Sequence, residues 1–205
     1  MIKVKDRDRD RDVVFATRNA GKMKEAQKFF ANTSFKILSL DDIGVDINIV
    51  EDGSTFEENA TKKAREICHA CGKMVIADDS GLMIDALDGL PGVDSANFLG
   101  VDTPYLVRNT KILEMLAHVP EEGRGARFVC VIAIARPERE IILERAELHG
   151  QIAYTLAGEN GFGYDPIFFL PQYGITTAQM DMVQKNEISH RGQALRLVRN
   201  RLEKL

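Results

Sequence analysis

The chain has 205 residues, enough for one domain or two lobes sharing a sheet, with 44% hydrophobic residues, 28% charged residues and a formal net charge of −4. That balance argues against sequence-independent binding to nucleic acid or an anionic membrane, both of which need a net basic face. No apolar run approaches a membrane span, no hydrophobic signal core opens the chain, and three cysteines do not make a disulfide framework. A reduced, cytoplasmic setting is expected, and any phosphate site must be a local cluster for a small ligand.

Residues 5–12 alternate Lys or Arg with Asp and carry no apolar face. Such a tract cannot offset its ordering entropy by burial, so residues 1–12 are expected to be a disordered tail or a charged extension of the first strand. The folded part, 13–205, is expected to be a single α/β domain of two lobes. Val13–Ala16 reads as a short buried strand, Thr17–Gly21 as a turn, and Lys22–Phe30 as a helix with Met23, Ala26, Phe29 and Phe30 on one side. A second strand is expected around Lys36–Leu40. Thr55 and Glu58 form a capping box, behind which Phe56, Ala60, Ala64, Ile67 and Cys71 fall on one helical face. The Cys68–Cys71 pair sits near the end of that helix with no second pair to complete a zinc site, so burial is its expected fate.

Met74–Ala77 is a third strand that stops at Asp78-Asp79-Ser80-Gly81. Pro104 opens a helix whose buried stripe is read as Leu106, Leu113, Leu116 and Ala117. Ala126–Arg136 and Glu140–His149 read as a β-hairpin about Pro137-Glu138-Arg139. The glycine-rich loop Gly158–Gly163 leads through Asp165-Pro166 to a strand at Ile167–Leu170. A last helix turns Leu195, Val198, Leu202 and Leu205 inward. Helices mixed with strands, a hairpin among them, indicate an α/β fold with a mixed sheet.

Four clusters carry chemistry. Thr17-Arg18-Asn19-Ala20-Gly21-Lys22, between strand and helix, aims backbone N–H groups, a hydroxyl and an ammonium at one point, as a phosphate requires. It is not a Walker A loop, and an ordinary turn with a solvated lysine is the bland alternative. Asp78-Asp79-Ser80-Gly81 follows a buried strand, where carboxylates point to the usual ligand crevice of an α/β sheet. Magnesium takes hard oxygen ligands, and Glu51 is a second candidate; a polar turn capped by its aspartates is the alternative. In Gly161-Phe162-Gly163-Tyr164-Asp165-Pro166 the glycines allow close approach to a ligand and Phe162 or Tyr164 offers a ring to a base. Asp165 can accept from ring or amino N–H groups, and Tyr164 reads equally well as a core aromatic. Finally, Lys185, His190 and Arg191 gather where a helix begins, with Ser189 as its N-cap; cations there oppose the helix dipole, which an anionic ligand would offset.

Together these stretches resemble the inosine/xanthosine triphosphate pyrophosphatase family. Thr17…Asn19…Lys22, Glu51–Ala60, Ala77–Leu82, Gly161–Phe169 and Ser189–Leu195 look like its signatures in its order, over nearly the whole chain beyond the charged tract. The resemblance implies an elongated α/β fold with a long central mixed sheet, two lobes flanking a nucleotide cleft, and a homodimer. It implies Mg²⁺-dependent attack of water on the α-phosphorus of deaminated purine nucleoside triphosphates. Thr17–Lys22 and Lys185 would hold phosphates; Asp79 would be general base, metal ligand or both; Glu51 would share the metal. Ser80, Phe162, Gly163, Tyr164, Asp165, His190 and Arg191 would line the nucleotide site. Arg18 stands where the family often has a small residue, and Ser95-Ala96-Asn97-Phe98 where Ser-Ala-Arg-Tyr is common. A related pyrophosphatase of other modified nucleotides, Maf-like, and a nucleotide sensor without turnover are the alternatives.

Overall fold

The computed structural model describes residues 12–205; the charged tract therefore lies outside the described residues, apart from Asp12. That aspartate is the first residue of strand β1, Asp12–Phe15. A single mixed sheet of seven strands runs in the order β2-β1-β3-β4-β5-β6-β7. β1 pairs in parallel with β2 (Lys36–Leu38) and β3 (Val75–Ile84). β4 (Gly125–Ala135) and β5 (Ile142–Ile152) are neighbours joined by the short segment that the sequence reads as a hairpin turn. β6 (Phe168–Leu170) pairs antiparallel with β5 and with β7 (Ile175–Thr176). Helices α1 (Ala20–Phe30), α2 (Phe56–Cys71), α3 (Tyr105–Met115), α4 (Met182–Ile188) and α5 (His190–Leu202) complete the α/β fold.

Two compact units share this chain. The first comprises the described residues up to Asp79, with Val131–Arg145 and Ala194–Leu205; the second comprises Ser80–Cys130 and Ala146–Gln193. The buried residues of the first include Val13–Phe15 and Val75–Ala77 of the sheet, Ala26 and Phe30 of α1, and Phe56, Ala60, Ala64 and Ile67 of α2. The core of the second joins Leu82, Ile84, Ile112, Leu116, Phe128, Ile152, Ile167, Phe168 and Leu170.

Several boundaries differ from the sequence reading, each for a physical reason. α1 begins at Ala20, because the Asn19 side chain caps it by accepting from the Lys22 N–H. On α2 the inward cysteine is Cys68 and not Cys71, which is only half-buried. β3 does not stop at Ala77 but continues through Asp78, Asp79, Ser80 and Gly81, because Lys22 and Asn59 on neighbouring elements receive the two aspartates. On α3 the buried face is Arg108, Asn109 and Ile112, whereas Leu106 and Ala117 are exposed. The Arg108 guanidinium earns this place by donating to the carbonyl oxygens of Ala96, Gly100 and Val101. Leu205 lies beyond α5 and is exposed, while Leu195, Val198 and Leu202 are buried as expected.

Candidate active site

In the first unit, the alternation of a β-strand decides the chemistry. Successive side chains point to opposite faces, so Asp78 and Asp79 of β3 meet different helices. Asp78 is fully buried and its Oδ2 lies 2.8 Å from Nζ of Lys22, in the first turn of α1. Asp79, 6% exposed, accepts through Oδ2 from Asn59 Nδ2 of α2 at 3.0 Å. Burial pushes its carboxyl up to about 6, against the lowering pull of the Asn59 hydrogen bond and of Lys63. Glu51 is near enough for its charge to raise Asp79 further.

Glu51 precedes α2 and is partly exposed; Lys63 Nζ holds its Oε1 at 2.8 Å and donates to the Asp78 carbonyl oxygen at 3.0 Å. The start of α2 is capped by Thr55, which accepts from the Glu58 N–H. The Glu58 carboxylate reaches back to accept from the Ser54 N–H and hydroxyl, at 2.7 and 2.9 Å. The Thr17–Lys22 segment caps itself: the Asn19 N–H donates to Thr17 Oγ1, and Ala20 and Gly21 enter the first turn of α1. Arg18 is turned to Asp46, 2.6 Å away, and both side chains are largely exposed.

In the second unit, the loop before β6 is organised around Asp165. Its Oδ2 accepts from Lys185 Nζ at 2.6 Å and from the Phe162 N–H at 2.8 Å, and its Oδ1 accepts from the Thr177 hydroxyl. With these bonds made, Asp165 shapes the loop. Gly161, at φ +77°, has no room for a side chain: a Cβ there would overlap the Asp165 carboxylate. Phe162 is 38% exposed, with Lys185 Nζ 5.0 Å and the Arg191 guanidinium 5.4 Å from its ring centre.

Tyr164 is buried, its hydroxyl donating to the Ser95 carbonyl oxygen, and burial raises its pKa far above the usual phenol range. Phe162 is therefore the ring of this loop that reaches the surface. Gly163 is fixed by Asn109 Nδ2, which donates to its carbonyl oxygen at 3.0 Å. Ser189 closes α4 and caps α5, accepting from the Gly192 N–H at 3.0 Å. His190 stacks on Phe128 at 4.8 Å, and both His190 and Arg191 are nearly buried. Ser80 lies half-buried in β3.

The first unit thus gathers Lys22, Glu51 and Asp79, and the second gathers Phe162, Asp165, Lys185 and Arg191. A profile of the Ham1 family matches residues 13–201. The chain belongs to the Ham1 family. Among Ham1 relatives, a dITP/XTP pyrophosphatase of Listeria monocytogenes is 45% identical over 90% of this chain and 91% of its own. One from Desulforamulus reducens is 44% identical over 94% and 96% respectively. The Staphylococcus aureus Ham1 protein superposes with a TM-score of 0.86 at 39% identity, covering 94% of this chain and 98% of its own. A Coxiella burnetii HAM1 protein does so with 0.87 at 38%, covering 95% and 99%.

Two residues around this Ham1 chain's acidic cluster escape a reading of the sequence: Asn59 and Lys63. Their signal is a polar residue where the pattern calls for burial. Asn59 shares the buried face of α2 with Phe56 and Ala60, and Lys63 lies one turn further on.

Proposed function

We propose that the chain is a nucleoside-triphosphate pyrophosphatase that hydrolyses deaminated purine nucleotides (dITP, ITP and XTP) to the monophosphate and pyrophosphate. The observation that carries this reading is the acidic cluster of the first unit: a buried carboxylate raised to about 6, beside a lysine-bearing helix N-terminus. It occurs in a chain whose relatives are named dITP/XTP pyrophosphatases.

The donor set suits magnesium. Glu51 and Asp79 supply hard carboxylate oxygens, and that ion commonly takes one or two carboxylates, with waters and substrate phosphates completing its shell. Among the described residues no group of three or more acids, histidines or cysteines is assembled, and magnesium with a triphosphate does not need one. When bound, magnesium would neutralise phosphate charge and favour ionisation of nearby water.

The protein's own residues do the rest. The first turn of α1 turns N–H groups and its positive dipole end toward phosphate, and Lys22 adds a cation. Water attacks the α-phosphorus; its oxygen forms the new P–O bond, and the bond to the bridging oxygen breaks toward pyrophosphate. Ionised Asp79 orients that water and accepts its proton. In the second unit, Phe162 offers its face to the base, with Lys185 and Arg191 as cationic donors beside it. Donors facing position 6 pair with a keto oxygen, whereas the amino group of adenine leaves them unpaired at ~1–3 kcal/mol per group.

No helix among the described residues is long and apolar enough to cross a membrane. The reading places the enzyme with the nucleotide pool in the cytoplasm, acting on small molecules and not on nucleic acid. It also includes a homodimer, supported by the exposed apolar side chains Leu99, Val101, Tyr105, Leu106 and Val107. Rates across a nucleotide panel with magnesium test the function: dITP, ITP and XTP should be turned over at least tenfold faster than dATP, the order of discrimination one unpaired buried group supplies. Faster turnover of modified pyrimidines would favour a Maf-like activity, and saturable binding without product would favour a sensor.

A further inference from the structure

Asn59 is a polar side chain in the buried face of α2, only 2% exposed, and both ends of its amide are used. Its Oδ1 accepts from the Gly53 N–H at 2.8 Å, and its Nδ2 donates to Asp79 Oδ2 at 3.0 Å. The Gly53 N–H can only donate, which fixes the amide's orientation and leaves the nitrogen toward Asp79. The fit is tight, since a Cβ on Gly53 would approach Asn59 Oδ1 to 2.7 Å.

Gly53 lies two residues after Glu51, whose carboxylate is held from the next turn of the same helix face by Lys63 at 2.8 Å. Ser54 is tied to the same turn through Glu58. The loop bearing one candidate metal ligand and the strand bearing the other therefore both report to α2; Lys63 and Asn59 each touch both, and Asn59 is the one that bonds the Asp79 carboxylate itself.

We propose that Asn59 is a positioning residue for the acid pair: one end of its amide anchors the Glu51–Gly53 loop and the other aims Asp79, so that the two carboxylates are held at a fixed separation. The proposal rests on the magnesium reading above and goes beyond it, because Asn59 touches neither metal nor nucleotide. Nδ2 engages one oxygen of Asp79 and so turns the carboxylate, as outer hydrogen bonds do for metal ligands in general.

Titrating magnesium alone into the nucleotide-free protein by calorimetry reads this arrangement without turnover. Asn59→Ala should weaken magnesium binding and lower kcat at saturating magnesium by ~10–100-fold each, the usual effect of removing an outer partner of a metal ligand, while KM for dITP stays within about threefold. A packing role predicts a lower melting temperature with magnesium affinity and kcat both changed by less than about fivefold, well under that range, and this result overturns the proposal. Asn59→Asp decides the matter if the alanine variant does not fold: it keeps an acceptor for Gly53 but faces Asp79 with an oxygen. A loss in kcat of about fivefold or more with an unchanged circular dichroism spectrum supports the proposal, and a smaller loss overturns it. Absence of magnesium binding by the unsubstituted, nucleotide-free chain would mean that the ion enters with the triphosphate, and Asn59 would then be judged on the kcat of Asn59→Asp alone.

Discussion

The ammonium group of Lys22 stands 2.8 Å from Asp78 Oδ2, and the acid is fully buried. The lysine expected to meet phosphate is thus aimed by an acid one residue away from the candidate base. Lys22→Ala should lose triphosphate binding and also stability, on the order of 3 kcal/mol, because breaking a buried pair leaves its charge behind. The double variant Lys22→Ala/Asp78→Asn should regain much of the stability without regaining turnover. Denaturant melts and kinetics on the three proteins check this; recovery of activity in the double variant would place Lys22 outside the phosphate site.

Asp79 makes a pH-dependent prediction. Its folded carboxyl stands near 6 and its unfolded one near the ordinary 3.8, so the folded state holds the proton more tightly. Stability therefore falls as pH rises between these values, and above about 6 the folded protein carries the full cost of a buried charge, of order 1–3 kcal/mol. Asp79→Asn removes that cost and keeps an acceptor for Asn59. The variant should melt above the unsubstituted chain at pH about 8, lose the advantage near pH about 4, and lack turnover. Melting temperatures of both proteins across that range, without metal, give the answer.

Phe162 and Tyr164 should separate cleanly. Phe162→Ala removes the exposed ring, and loss of base stacking should raise KM by an amount equivalent to ~1–3 kcal/mol with the folded state little affected. Tyr164→Phe removes a buried hydroxyl from the Ser95 carbonyl oxygen, which should cost ~1–2 kcal/mol of stability and leave KM nearly unchanged. Steady-state kinetics beside thermal melts would reveal a reversal of these roles.

The apolar residues between Leu99 and Val107 predict the oligomeric state. Val101→Glu with Leu106→Glu places two charges on side chains that are 74% and 64% exposed, so folding should survive. Size exclusion with light scattering should show a dimer for the unsubstituted chain and a monomer for the double variant. A monomer in both would remove this face as a self-association surface.

Much of the chemistry is local in the sequence, and for that reason legible there. The strand-to-helix segment before Lys22, the capped start of α2, the glycine loop around Phe162 and the Ser189 cap each lie within a few residues. What escapes depends on partners far along the chain. β3 reads as ending at Ala77 because two aspartates follow; it continues because Lys22 and Asn59, remote in sequence, receive them. Arg108 is missing from the stripe read for α3, and it is buried because the carbonyl oxygens of the preceding loop accept its guanidinium. Likewise Asp165 reads as a base-binding acceptor, although Lys185, Thr177 and the Phe162 N–H already fill it.

Hydrolysis of dITP in ¹⁸O-labelled water, with mass spectrometry of the products, tests the central claim most directly. The account predicts pyrophosphate without label and dIMP carrying one ¹⁸O, because solvent oxygen bonds to the α-phosphorus. Release of dIDP with labelled orthophosphate would place the attack at the γ-phosphorus and contradict it.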